Sequence, residues 1–194
     1  MDFMDDVMGE MELSPARVQV GITPHFCDMK RGIKFSDATN QSTFGQAVRE
    51  RGIGSVPTHT QLEYLNSIAF RPESGARAGA LPCAMIVIDN PSDDIEATLI
   101  EAKKARDEGV EIVVVGIGDA IDDAELEGIA GDTGSWWHIP SFEALPALRP
   151  VVIEELCQAL NSNQRSNLRL WITRVTLKDR FGNWIKSLYE KSWT

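Results

Sequence analysis

Basic residues, cysteine, histidine and long apolar runs are all scarce in this 194-residue chain, and each scarcity excludes a class of function. Nineteen Lys and Arg stand against 29 Asp and Glu, a net charge of −10 with a pI near 4.8. Binding to phosphate backbones rests on counterion release by Lys and Arg, so no nucleic acid is expected as a partner. The three cysteines, Cys27, Cys83 and Cys157, show no C-x-x-C spacing, and His25, His59 and His138 are scattered, so no zinc pattern exists. Cys83, set among apolar residues, is expected to be a buried small hydrophobe. No apolar run reaches the roughly 18 residues of a membrane span. There is no G-x-S-x-G elbow and no histidine with a partner visible in sequence, so hydrolase chemistry is not expected.

What is present is 43% hydrophobic residues in a chain long enough for one sizeable core. Residues 1–13 are acidic and lack the basic and apolar regions of a secretory signal. Phe3, Val7 and Met11, with Met4 and Met8, instead predict an amphipathic helix. Residues 17–22 alternate as a strand with two different faces, and 32–35 predict a second, shorter strand. Residues 43–51 predict a helix. Leu62, Leu65, Ile68 and Ala69 form a helical stripe closed by Arg71-Pro72.

The clearest segment is 84–116. Two continuous apolar runs, 84–88 ending in Asp89 and 110–115 ending in Gly116, flank a helix over 94–108 with Ile95, Leu99, Ala102 and Ala105 on one face. Strand, helix, strand with continuously apolar strands is a βαβ unit of a covered parallel sheet, so the fold class is α/β. Further elements follow: a helix at 123–130, a strand at 136–139 and a last helix over 142–160, with a start after Pro146 as the alternative. Asp89 at a strand end is read as solvated or bonded to turn amides, with Ser92 or Asp93 capping the next helix.

A boundary is expected near residue 160. Residues 161–194 hold seven basic and two acidic residues, a tail of +5; the remaining 12 basic and 27 acidic residues give 1–160 a charge of −15. Three of five tryptophans, Trp171, Trp184 and Trp193, lie in this tail. Leu168, Trp171, Ile172 and Val175 fit a helix face, while Trp171, Thr173, Val175 and Leu177 fit a strand face, so both remain open. Trp184, Ile185, Leu188 and Tyr189 suggest a terminal amphipathic helix, and docking of the tail on the acidic body is preferred.

The order of "RVQVGI", "GSVPTHT", "LEYLNSIAF", "RPESGARAGALPCAMIVIDNPSDD", "EAKKARDEGVEIVVVGIGDA", "ELEGIAGDTG", "HIPSFEAL" and "IEELC" resembles the von Willebrand factor type A domains of collagens, matrilins and related matrix proteins. The resemblance implies a three-layer fold, a mostly parallel central sheet flanked by helices, and a metal-ion-dependent adhesion site at the carboxyl ends of the strands. In the family one loop supplies D-x-S-x-S, a second a threonine and a third an aspartate. Here Thr58 and Asp89 match the second and third, D-x-S-x-S is missing, and the strand expected to carry it is absent from the front of the chain. Two protein ligands fall short of the six or more oxygens that Mg2+ or Ca2+ takes, so no cofactor is expected; Mg2+, Mn2+ or Ca2+ remains the alternative, through Thr58, Asp89 and the diffuse acidic patch of Asp93, Asp94, Asp119, Asp122 and Asp123.

The resemblance further implies a non-enzymatic protein-binding module with an extracellular matrix or cell-surface partner and an extracellular location. Asn40-Gln41-Ser42 is a glycosylation acceptor sequence compatible with that location. The family commonly pairs the cysteine matched by Cys157 with one ahead of the first strand, which leaves Cys157 free here. An absent first strand also predicts an unfilled position beside 18–22, open to strand addition by a partner or the tail. The other readings are a metal-dependent module completed by ligands from elsewhere, a fragment without autonomous function, and a nucleotide-binding enzyme using Gly116 and Gly118.

Overall fold

The computed structural model describes residues 2–23, 32–37, 39–50, 56–162 and 168–174. In chain order its elements are α1 (Asp2–Gly9), β1 (Val18–Ile22), α2 (Gln41–Glu50), α3 (Thr58–Tyr64), β2 (Leu81–Ile88), α4 (Ile95–Asp107), β3 (Glu111–Ile117), α5 (Asp123–Ala130), β4 (Ser135–Ile139), α6 (Leu145–Ser162) and β5 (Leu168–Arg174). The α3 helix continues as a π-turn over Leu65–Ala69, and single 3-10 turns sit at Pro72–Ser74 and Phe142–Ala144.

The five strands form one sheet in the order β1-β5-β2-β3-β4, every neighbouring pair parallel. Strand period sorts the core into two layers. Cys83, Met85 and Val87 of β2 and Val113, Val115 and Ile117 of β3 face a cluster containing Val7 and Met8 of α1, Phe44 of α2 and Val152 and Leu156 of α6. Ala84, Ile86 and Ile88, with Ile112 and Val114, face Leu62 of α3, Ala102 and Ala105 of α4 and Leu126 and Ile129 of α5. The sheet is thus covered on both faces, which is what its continuously apolar strands require. Cys83 is fully buried, and desolvation pushes its thiol far above the usual range, so it behaves as a small hydrophobe.

The tail resolves the open choice between helix and strand. Leu168–Arg174 is a strand, and it lies between β1 and β2: Val18 pairs with Leu168 and Ile22 with Ile172 on one side, Leu81 with Leu168 and Val87 with Arg174 on the other. The position beside β1 that strand addition was expected to fill is therefore occupied by the chain's own later segment. Among the described residues, β1 joins the rest of the sheet only through β5. The terminal helix suggested around Trp184 lies outside the described residues.

Four other expectations need correction. All five residues of β1 are buried, because helices cover both faces; polar Gln19 is accommodated by donating its Nε2 to the Gly75 carbonyl at 3.1 Å. Residues 32–35 contribute only an antiparallel bridge, Ile22 to Ile33 with both N–H···O distances at 2.9 Å, and no strand. Neither Ser92 nor Asp93 caps α4: Asp94 does, its Oδ1 accepting from Ala97 N at 2.9 Å. Finally, α6 starts at Leu145, so Pro146 falls in the first turn where its missing N–H costs nothing, and Pro150 lies inside the helix.

Gly134, in the turn from α5 into β4, shows how closely the layers approach. A Cβ there would lie 2.4 Å from both the Ala130 and Ile112 carbonyl oxygens, which are backbone and cannot step aside. Gly134→Ala is therefore expected to cost about 2 kcal/mol or more by overpacking. Gly9→Ala, whose new Cβ meets nothing nearer than Gln41 Nε2 at 3.9 Å, is expected to be neutral or to stabilise by up to about 1 kcal/mol. Urea unfolding of the two variants checks the contrast.

Candidate functional site

In an open parallel α/β sheet, ligands collect beyond the carboxyl ends of the strands, where helix amino termini also point. This edge is built here from Thr23 after β1, Thr58 at the start of α3, the 89–94 turn after β2, the 118–122 turn after β3, and Arg174 at the end of β5. Thr58, 1% exposed, is the first residue of α3. Asp89 follows the last residue of β2, half-buried, its Oδ1 accepting from Asn90 Nδ2 at 3.3 Å. The amino end of α3 is tied to the end of β1 through Gln61, whose Oε1 accepts from Thr23 Oγ1 at 2.9 Å while its Nε2 donates to Val56 O at 3.0 Å.

Four acidic residues around Asp89, namely Asp94, Asp122, Asp123 and Glu125, are committed to local structure. Asp94 caps α4, and Asp122 caps α5 by accepting from Ala124 N at 3.0 Å. Asp123 is bound to His138, with Oδ1 and Nδ1 2.6 Å apart. Glu125 is 4% exposed and reaches across to accept the Ser92 backbone N–H at 3.0 Å, so α5 holds the turn that follows Asp89. Among the described residues no three His, Cys, Asp or Glu side chains are grouped as a metal site. At the place in the sheet between β1 and β2, β5 reads Leu168-Arg169-Leu170-Trp171-Ile172-Thr173-Arg174, with two arginines and no carboxylate. Thr58 and Asp89 with such a neighbour do not make up the oxygen-rich set that Mg2+, Mn2+ or Ca2+ takes.

The residues that sequence reading missed are Glu125 and the pairing of His138. Asp122-x-x-Glu125 looks like a capping box, a local signal, yet the glutamate side chain bonds to a turn 33 residues away. His138 and Asp123 meet because β3 and β4 pair with Gly116 opposite His138, a register that no local pattern announces. Gly116 and Gly118, candidates for a phosphate loop, serve this turn. Gly118 has φ +91°, and its carbonyl accepts from His138 Nε2 at 2.8 Å.

Because Gly118 O can only accept, Nε2 carries a proton, and a neutral ring would then turn the Nδ1 lone pair toward the Asp123 carboxylate. Protonation lets both nitrogens donate. Burial alone would lower the His138 pKa, but the bonds to Gly118 and Asp123 and the charges of Asp123 and Asp119 outweigh it, and the net shift is upward. A raised folded-state value means that this contribution to stability is complete below the unfolded value of about 6.5 and is lost as pH rises through the folded one. The stability advantage of the native chain over His138→Asn is accordingly expected to be larger at pH 5.5 than at pH 8.5, read as the difference in Tm at each pH. Glu125→Ala strands the buried Ser92 N–H and is expected to cost about 1–3 kcal/mol in urea unfolding, with Glu125→Gln milder because its carbonyl still accepts.

The profile of the von Willebrand factor type A domain matches residues 1–150. The chain is 25% identical over 158 residues to the human collagen alpha-6(VI) chain, covering 80% of this chain and 7% of that one. To bovine matrilin-1 it is 29% identical over 159 residues, covering 80% of this chain and 29% of the relative, so it spans under a third of either protein. The fold is similar to that of proximal thread matrix protein 1 from the mussel byssus, solved with a zinc-occupied MIDAS motif, at a TM-score of 0.68 and 19% identity over 80% of this chain and 41% of that one. With the parallel sheet, its two helical layers and its landmark order in agreement, the chain belongs to the von Willebrand factor type A domain family.

Proposed function

We propose that this chain is a non-enzymatic protein-binding module of the extracellular matrix or cell surface, and that it binds its partner without a metal ion. Kinship with collagen and matrilin domains supports an adhesion and protein-interaction role. The observation that carries the metal-independent reading is the identity of the strand between β1 and β2. In metal-dependent relatives a strand in the sheet ends in D-x-S-x-S; β5 ends in Thr173-Arg174. Asp89 and Thr58 then stand as remnants of a ligand set, while Asp94 and Asp122 cap helices and Asp123 pairs with His138.

The carboxyl edge nonetheless retains the features of a recognition surface: three helix starts, exposed Asn90, Pro91 and Asp93, and turns held from behind by Glu125 and His138. Such a surface suits a polar or basic patch on a protein partner, with the net charge of −10 steering the approach.

Calorimetric titration with Mn2+ and Mg2+ is expected to give no saturable heat from either the native chain or Asp89→Ala. Retention of the chain on immobilised collagen and other purified matrix proteins is expected to change by less than about twofold between EDTA and Mn2+. Saturable heat that disappears in Asp89→Ala, or a tenfold loss of retention in EDTA, refutes the metal-independent reading.

A further inference from the structure

The strand that completes the sheet is held to its layer by backbone pairing on both sides and to the chain by the five residues 163–167, which separate α6 from β5. We propose that the slot between β1 and β2 is a strand-acceptor site whose second occupant is the β5 segment of another copy of this chain, giving a strand-exchanged dimer.

Three observations lead there. The pairing is parallel on both sides and lies wholly between β5 and two strands of the body, from Val18 with Leu168 to Ile22 with Ile172 and from Leu81 with Leu168 to Val87 with Arg174. A β5 arriving from a second copy makes the same ladders, so the two arrangements differ mainly in how the short connection is laid and in the entropy of association. Second, β5 lies beyond every other described element in sequence, so it can leave and enter the slot without the described body being threaded through anything. Third, residues 161–194 carry +5 and residues 1–160 carry −15, so the tail is attracted to another copy's body as it is to its own.

The connection sets the balance. A five-residue tie holds β5 near its own slot at an effective concentration roughly in the millimolar range, so the monomer dominates in dilute solution and exchange requires the slot to open first. Shortening the tie lowers that effective concentration toward zero when it can no longer span the distance, while leaving the intermolecular arrangement intact. The device is an interaction surface for self-association through the middle of the sheet, distinct from the carboxyl-edge surface of the proposed adhesion role.

Two full-length preparations differing in a mass tag, mixed at roughly millimolar concentration in mild urea, returned to buffer at that concentration and cross-linked before dilution, are expected to show mixed dimers by mass spectrometry. A chain with three of residues 163–167 deleted is expected to raise the dimer fraction at least tenfold at equal concentration, with the amides of Val18–Ile22 and Leu81–Ile88 still protected from hydrogen exchange. Adding Ile172→Pro to that chain is expected to abolish the dimer. Absence of mixed dimers from the unaltered chains overturns the proposal even if the shortened chain fails to fold. So does a shortened chain that stays monomeric, a dimer whose β1 amides exchange freely, or a dimer that survives Ile172→Pro, since each places any association elsewhere.

Discussion

The hydrogen-bond ladders on the two sides of β5 are the constraint on which the rest of this domain depends. Parallel sheets need both faces covered, and β1 has no other route into the sheet among the described residues. The layer formed by α1, α2 and α6 rests partly on Val18, Val20 and Ile22, so the packing of that whole face presumes that β5 is in place. One seven-residue segment thereby joins β1 to the β2-β3-β4 part of the sheet, while helix packing of α1 on α6 and α3 on α4 ties the layers together.

The same segment decides what the carboxyl edge offers. A strand in that slot ends beside the last residues of β2, and here Thr173 and Arg174 stand opposite Ile86 and Val87, short of Asp89. Much of the surrounding acidity has a local partner: Asp94 and Asp122 answer helix amino termini, Asp123 answers an imidazole, and Glu125 answers a buried amide. An edge rich in carboxylates can therefore be electrostatically satisfied by its own backbone, leaving shape and net charge as what a partner meets.

Legibility in sequence followed how local each feature is. The β2-α4-β3 unit could be read because continuous apolar runs and a helical stripe are local patterns, and the landmark order carried the family. β1 was misjudged as two-faced because Gln19 reads as solvent-facing; its partner is the carbonyl of Gly75, 56 residues away. Residues 168–174 satisfy both helix and strand periods, and only the empty place between β1 and β2 selects the strand. At the site, Thr58 and Asp89 were visible through their places in the landmark order, whereas Glu125 and the His138–Asp123 pair depend on strand register and on contact between separate turns, which no spacing rule encodes.

The distance along the chain between β1 and β5 also bears on how the domain is made. Val18 pairs with Leu168, so β1 emerges about 150 residues before the segment that will hold it. At synthesis rates of roughly 5–20 residues per second, that is a wait on the order of 8–30 seconds. During this interval the βαβ core can assemble while an apolar strand and its helix remain unsupported. Assembly of this sheet therefore waits for β5, and the interval before it is when a chaperone has most to protect.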